Sequence, residues 1–163
     1  MALREMLMRI MTEYPSAKNQ ALEGHPLAGF VRREATQVVE EGLGDTLAGL
    51  IVEGSPGQGN WAAVPWISIF DPAITTTATS GYYVVYLFHS TEPVVHLSLN
   101  QGTTKVREEF GIRAREILED RGNLIRKRVE DFQAILPVRS IELGFKRTAS
   151  WRLCCWPRFR VNV

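Results

Sequence analysis

The fold is decided by residues 81–99, GYYVVYLFHSTEPVVHLSL. Tyr82–His89 and Val94–Leu99 are rich in β-branched and aromatic residues, which predicts two strands. The Thr91–Pro93 gap between them is short, which predicts an antiparallel hairpin. Side chains alternate along a strand, so both faces of the first strand are apolar or aromatic and the strand is expected to be central.

Outward from this hairpin, two further strands are predicted before it, at Leu47–Glu53 and Val64–Phe70. They are separated by a loop rich in glycine, serine and proline, GSPGQGN at residues 54–60. Apolar residues at helical spacing predict a helix over 3–14 ended by Pro15, another over 27–43, and a long helix over 103–136 with Gly111 and Gly122 as the two candidate positions for a break. The order favours an α+β fold: a twisted, mainly antiparallel sheet of about four to five strands, packed with N-terminal helices and one long helix.

Composition narrows the protein class. The 163 residues suffice for one domain, and 45% hydrophobic with 23% charged residues is typical of a globular chain. No apolar run reaches the roughly 18 residues that would span a bilayer, and the N-terminus carries charges within its apolar stretch. A cytoplasmic protein without membrane contact is therefore expected.

Charge is unevenly distributed along the chain. Residues 137–163 hold six basic residues and one acidic residue, and the thirteen basic and seventeen acidic residues before them give 1–136 a net charge of −4. The two cysteines, Cys154 and Cys155, are adjacent, and neighbouring cysteines supply neither a metal knuckle nor an unstrained disulfide. We expect no metal site and no cofactor.

Signals for catalysis are weak. No Gly-x-Ser-x-Gly elbow frames a serine, and the glycines at 54–59 lack the Lys-Ser/Thr of a phosphate-binding loop. One alternative is a hydrolase that uses His89 or His96 with Asp71. Another is a regulatory or protein-interaction domain that binds through the 103–136 helix and has no affinity for nucleic acid.

Aromatic residues around the glycine-rich loop are more informative. Trp61 and Trp66 follow the loop, and Tyr83 and Leu87 are predicted to share one strand face. These side chains are either core or an aromatic pocket beneath the loop. Such a pocket would suit a planar ligand such as a nucleobase.

Four blocks in this order resemble the MrcB-like N-terminal domain family, the DNA-recognition module of McrB-type modification-dependent restriction enzymes. The blocks are GSPGQGNW at 54–61, VPWISIF at 64–70, GYYVVYLF at 81–88 and LSLNQGTT at 97–104. The resemblance runs from about residue 3 to about residue 144. It implies a non-catalytic defence module that binds double-stranded DNA and flips a methylated cytosine into a pocket, with an AAA+ motor and a nuclease in other domains or subunits.

The resemblance also implies which residues of this chain form the binding site. Trp66, Tyr83 and Leu87 match the residues that hold the flipped base. Gln58, at the tip of Gly57-Gln58-Gly59-Asn60, matches the residue that enters the duplex, where the best-known members place an aromatic side chain. The basic residues expected near phosphates are Arg32, Arg33, Lys105 and Arg107.

The tail from Phe145 departs from the pattern of a folded domain, since it has no period and clusters Trp, Cys and Arg. The predicted division is a recognition domain at 1–144 and an atypical basic tail at 145–163. One hypothesis is a truncating frameshift near Gly144: one allowed codon choice for 152–158, read one base later, encodes Gly-Tyr-Ala-Ala-Gly-His, similar to the family's next segment. The alternative is a basic tail that contacts phosphate.

Overall fold

The computed structural model describes residues 1–132 and 141–144, and the backbone of 158–161. Its strands form one antiparallel sheet in chain order: β1 (Ile51–Gln58), β2 (Asn60–Phe70), β3 (Tyr82–Phe88), β4 (Val95–Gln101) and β5 (Arg158–Val161). β5 belongs to the segment predicted as an atypical tail. Cys154 and Cys155 lie outside the described residues, and the division at 144 stays a prediction.

Helices precede and follow the first four strands: α1 (Leu3–Ala17), α2 (Pro26–Arg32), α3 (Glu34–Leu43), α4 (Thr104–Phe110) and α5 (Ala114–Arg128). Helices that precede and follow the antiparallel strands in the chain, instead of alternating with them, make an α+β fold, as predicted. Of the helices in the described part of the chain, none has the length and apolar character needed to cross a membrane.

The predicted helix boundaries need three corrections. Pro15 does not end α1 but lies within its last turn, where the Lys18 N–H still reaches the Tyr14 carbonyl at 3.2 Å. The predicted helix over 27–43 is two helices, because Arg33 leaves helical geometry at φ −123° and ψ −68°. The third concerns the long helix, which is broken at one of its two candidate positions: Gly111, at φ +51°, separates α4 from α5. A positive φ is readily adopted by glycine and cannot continue a right-handed helix.

The glycine-rich stretch at 54–60 is also not a loop. β1 continues through it to Gln58, and β2 starts again at Asn60, so only Gly59 separates the two strands. β1 needs a glycine at position 54, because α2 lies close to its backbone there. A side chain there would collide with the carbonyl of Val31 on α2, so α2 packs directly on the β1 backbone.

The two faces of the sheet have different neighbours. One face packs on the N-terminal helices through a core that includes Ile67, Phe88 and Val95 from the strands and Met6, Ile10, Tyr14, Leu27, Phe30 and Val31 from the helices. The other face carries a smaller cluster of Phe70, Tyr83, Val85, Leu87 and Leu143. Because no helix of the N-terminal group covers this second face, it is the face that can hold a ligand.

A large irregularity interrupts the β1–β2 ladder. Ser55 pairs with Trp66, and the next pair is Gly57 with Trp61. Residues 62–65 of β2 therefore lie opposite Pro56 alone. Pro56 and Pro65 lack the N–H that a regular ladder would use, which explains why the pairing lapses here.

Tyr14 of α1 replaces the lost ladder contacts. Its hydroxyl donates to the carbonyls of Pro56 at 3.0 Å and Ala62 at 2.8 Å, one on each side of the irregularity. The Tyr14 ring meets the Trp61 ring edge-on at 5.2 Å between centroids and is 1% exposed. A helix side chain thus holds the bulged segment of β2 in place.

Replacing Tyr14 by phenylalanine is expected to lower the free energy of unfolding by about 1 to 3 kcal/mol, because buried carbonyls lose their donor while the ring is kept. Thermal and denaturant unfolding measure the change. Tyr82→Phe is the matched control, since no hydrogen bond of the Tyr82 hydroxyl is found in the described structure. Equal stability of the two variants would contradict a stabilising role for the Tyr14 hydrogen bonds to Pro56 and Ala62.

The same variant tests an alkaline effect. Burial raises the pKa of Tyr14 above its ordinary value of 10.0, and it also raises the pKa values of Tyr83 and Tyr86. The folded state keeps these protons where the unfolded state has lost them, so stability is fully present below pH 10 and falls as the pH rises further. Tyr14→Phe is expected to show a shallower decline above pH 10.

Candidate functional site

A cavity of about 420 Å³ opens on the sheet face opposite the N-terminal helices. This volume lies within the roughly 300–1,000 Å³ of small-molecule sites. Its floor is formed by side chains of β2, β3 and β4, and its walls come from the bulged segment of β2, the segment before β3, the start of α4, and Leu143.

The three residues predicted to hold a base meet in this cavity. Trp66 pairs with Leu87 in the β2–β3 register, and Tyr83 lies four residues before Leu87 on the same face. Leu87 is 7% exposed and Tyr83 is 8% exposed, while Trp66 is half-buried. Trp66 is therefore the most accessible of the three aromatic or apolar walls. Their role in binding a base stays a prediction.

Sequence reasoning missed the polar part of the lining. Ser68 and Asn100 line the cavity although they are 0% and 6% exposed, and Thr79, Gln101, Thr103 and Thr104 add further polar groups. A signal for Ser68 was present in the sequence, because it is the one polar residue in the run Val64–Phe70, where a buried polar residue needs an explanation. Asn100 carried no such signal, because His96 and Ser98 are also polar on the same face of β4.

A short hydrogen-bond chain orients the polar groups at one end of the cavity. The Tyr83 hydroxyl donates to the Ala78 carbonyl at 3.2 Å and accepts from the Asn100 side-chain amide nitrogen at 3.4 Å. Burial raises the pKa of Tyr83, and the hydrogen bond from Asn100 lowers it in part. Tyr83 is therefore a neutral hydroxyl near pH 7, whose proton is directed away from Asn100.

The predicted DNA-entering segment is the tip of the β1–β2 hairpin. Gln58, Gly59 and Asn60 are exposed, and Gly59 has the positive φ of +67° that so tight a turn requires. Gly57 is instead buried in the hairpin, where a side chain would collide with the backbone of Asn60 and Trp61. The cavity begins at Ala62, two residues beyond Asn60, so the tip and the cavity are neighbours along one strand.

The four basic residues predicted near phosphates fall into two exposed pairs. Arg32 is the last residue of α2 and Arg33 lies between α2 and α3, and the Arg32 guanidinium donates to the Gly57 carbonyl at 2.9 Å, beside the hairpin tip. Lys105 and Arg107 lie on α4, directly after the cavity-lining Thr103 and Thr104. Contact of either pair with phosphate stays a prediction.

The histidine and aspartate of the hydrolase alternative have structural partners. The His89 Nδ1 accepts from the backbone N–H groups of Glu92 at 2.9 Å and Thr91 at 3.3 Å. An Asp71 carboxylate oxygen accepts from the Ala73 N–H at 2.9 Å. Both side chains stabilise turns. In the part of the chain that the structure describes, no three His, Cys, Asp or Glu side chains are grouped as metal ligands would be.

A family model described as MrcB-like, N-terminal domain, matches residues 9–152. The chain belongs to the MrcB-like N-terminal domain family. Comparisons with the curated proteins and with the solved structures give no significant match.

Membership in this family indicates the class of ligand. The MrcB-like domain is the DNA-binding recognition module of McrB-type restriction systems, so a nucleic-acid ligand is the class of ligand for this chain. The match covers all four strands that line or flank the cavity and ends at residue 152, eight residues beyond the predicted boundary at 144.

Proposed function

We propose that this MrcB-like domain binds double-stranded DNA that contains methylated cytosine and accepts the modified base, flipped out of the duplex, in the cavity beside Trp66. The observation that carries the proposal is the position of the cavity. It is enclosed by Trp66, Tyr83 and Leu87 and begins two residues from the exposed hairpin tip.

The cavity supplies the interactions that a flipped base needs. Extruding a base costs a few kcal/mol of stacking and pairing, and stacking on an aromatic side chain returns about 1–3 kcal/mol per base. Burial of one methyl group contributes about 0.8 kcal/mol, which corresponds to a roughly fourfold preference for the methylated base. The apolar walls therefore provide both affinity for a planar ring and a modest preference for its methyl group.

The hairpin tip acts on the duplex in this proposal. Gln58 is exposed between two strands that Tyr14 and Arg32 hold to the helices. Its side chain is long enough to enter the space left by the flipped base, and its amide both donates and accepts hydrogen bonds with the unpaired base opposite. It lacks an aromatic face, so it compensates less for lost stacking than an aromatic residue would.

Phosphate contacts are expected from Arg32 and Arg33 beside the hairpin and from Lys105 and Arg107 beside the cavity. Acidic residues follow each pair, Glu34 after Arg33 and Glu108 with Glu109 after Arg107. A duplex approaching this face meets few uncompensated positive charges. Affinity is therefore modest and falls with salt, and additional contacts in a multi-subunit assembly raise the effective affinity.

Recognition without catalysis is the role proposed for this chain. His89 and Asp71 are engaged with backbone groups, and the cavity is lined by apolar, hydroxyl and amide side chains rather than by an acid–base pair. Cleavage of DNA and nucleotide hydrolysis are assigned to an AAA+ motor and a nuclease in other domains or subunits of a restriction system.

Fluorescence polarisation with matched duplexes, with and without one 5-methylcytosine, tests the proposal. We expect a severalfold preference for the methylated duplex that persists between about 50 and 200 mM salt, while the affinity for both duplexes falls as phosphate contacts are screened. A preference ratio of one at both salt concentrations would contradict reading of the methylated base.

A further inference from the structure

Two polar atoms on the floor of the cavity have unmet hydrogen-bonding capacity. The Ser68 hydroxyl and the Asn100 carbonyl oxygen Oδ1 are buried and have no hydrogen-bond partner in the described structure. Their residues are 0% and 6% exposed, and both line the cavity. Leaving a buried polar group unpaired costs about 1–3 kcal/mol, so such groups in a cavity indicate a polar ligand.

The register places these two atoms on one face, on either side of β3. Ser68 is opposite Val85, and Asn100 is opposite Tyr83, two residues earlier on β3. Val85 and Tyr83 line the cavity with them. A single planar ring in the cavity can therefore meet both polar groups along one edge while its faces contact apolar and aromatic side chains.

The hydrogen-bond chain through Tyr83 decides what Asn100 offers to a ligand. The Tyr83 proton is donated to the Ala78 carbonyl, so its oxygen accepts from the Asn100 amide nitrogen. The amide oxygen is then the atom left for the cavity, and it only accepts. Ser68 has a rotating hydroxyl that donates or accepts. The floor thus presents one fixed acceptor and one adaptable hydroxyl.

We propose that Asn100 and Ser68 read the hydrogen-bonding edge of the base. Asn100 Oδ1 accepts from the exocyclic amine of cytosine, and the Ser68 hydroxyl donates to the neighbouring ring nitrogen. This inference rests on the proposed function, and it assigns the choice of base to the floor of the cavity and the preference for the methyl group to its apolar walls.

Thymine is the informative competitor. 5-Methylcytosine and thymine carry the same ring methyl, but thymine has a carbonyl where cytosine has its amine. That carbonyl would face the fixed acceptor of Asn100, which leaves two acceptors opposed and desolvated. A missing or opposed hydrogen bond at a buried site costs about 1–3 kcal/mol, which corresponds to a roughly 5- to 150-fold preference for 5-methylcytosine.

The test uses two probes on the full chain. The first is titration with the nucleosides 5-methyl-2′-deoxycytidine and thymidine, followed by the NMR signal of the Trp66 indole N–H. The second is the pair of matched duplexes. The variants are Asn100→Leu, which removes the acceptor at similar size, and Ser68→Ala. Ser98→Ala is the control, because Ser98 is 1% exposed on the same sheet face without lining the cavity.

We expect the wild-type chain to prefer the cytosine nucleoside, Asn100→Leu to bring the ratio of the two nucleosides close to one, and Ser68→Ala to weaken cytosine binding about tenfold. Ser98→Ala should keep the wild-type values. The melting temperature separates binding from structure: Ser68→Ala removes an unpaired buried hydroxyl, so its melting temperature should be unchanged or higher. Lower stability together with unchanged selectivity would overturn the proposal.

The remaining outcomes separate the two proposals. If nucleoside selectivity depends on Asn100 while both duplexes bind equally, the edge reading holds and recognition of methylated duplex DNA fails. If the duplex preference is present and the nucleoside selectivity survives Asn100→Leu and Ser68→Ala, recognition of the methylated duplex holds and the edge reading fails. If the wild-type chain binds thymidine as well as the cytosine nucleoside, or binds neither, the edge reading is wrong.

Discussion

Replacing Trp66 by alanine is expected to remove most of the preference for methylated DNA. Trp66 is half-buried at the cavity wall, opposite Leu87 in the β2–β3 register, where it packs on the cluster around Tyr83 and Leu87 and stays partly accessible to a ligand. Base–aromatic stacking is worth about 1–3 kcal/mol, at least as much as the roughly fourfold methyl preference, so the affinity for the methylated duplex should fall severalfold, to that of the unmodified duplex. The affinity for the unmodified duplex, which depends mainly on phosphate contacts, should change little.

Trp61→Ala provides the matched control for this substitution. Trp61 packs on the opposite, helix-covered side, where its ring contacts Tyr14 and His25 and its indole N–H donates to the Gln20 carbonyl at 2.8 Å. Its loss should lower the melting temperature without changing the ratio of the two duplex affinities. If Trp66→Ala stays folded and keeps the wild-type ratio, the cavity does not hold the modified base.

Replacing Gly102 by alanine is expected to disrupt the cavity from its other wall. A side chain at Gly102 would collide with the backbone of Thr79 and Ser80, and Thr79 lines the cavity. Gly102 also donates its N–H to the Gly81 carbonyl at 2.9 Å, and the Lys105 backbone N–H donates to the Thr79 carbonyl at 3.2 Å. The segment before β3 is therefore docked against the start of α4 with no space for a methyl group.

The expected loss for Gly102→Ala is about 1–3 kcal/mol or more in the free energy of unfolding, because backbone atoms cannot move aside as a side chain can. For a chain of this size the melting temperature should fall by roughly 2–4 °C per kcal/mol. Binding to the methylated duplex should weaken as the wall shifts. Calorimetric unfolding and polarisation measure the two effects on the same samples.

Gly42→Ala is the matched control for Gly102→Ala. Gly42 lies within α3, and nothing lies within 4 Å of a side chain built there. Alanine is favoured over glycine inside a helix by about 1 kcal/mol, so this variant should be unchanged or more stable. A Gly102→Ala variant as stable as Gly42→Ala would show that the wall has room to move.

The alternation of side chains in β3 determined most of the apolar part of the site. Tyr83 and Leu87 share a face because their spacing is even, and Trp66 joins them once β2 and β3 pair antiparallel. The α+β class followed from the same local signals, since runs of β-branched residues and apolar residues at helical spacing depend only on near neighbours in the chain. Local patterns of this kind can be recognised from the sequence without knowledge of the tertiary structure.

Only the tertiary structure decided the rest of the site. The stretch 54–60 has the composition of a loop, yet it is a hairpin because α2 packs on Gly54 and Tyr14 bridges Pro56 and Ala62 across 42 and 48 residues of chain. The break between α2 and α3 falls at Arg33, and an arginine gives no sequence signal for a helix end as a glycine or proline would. The Ser68 hydroxyl and Asn100 Oδ1 became candidate ligand contacts only when the register placed both at one cavity, where neither atom has a hydrogen-bond partner in the described structure. Composition and periodicity report what a residue prefers, whereas a bulge, a clamp or an unpaired buried atom depends on which distant residue is packed against it.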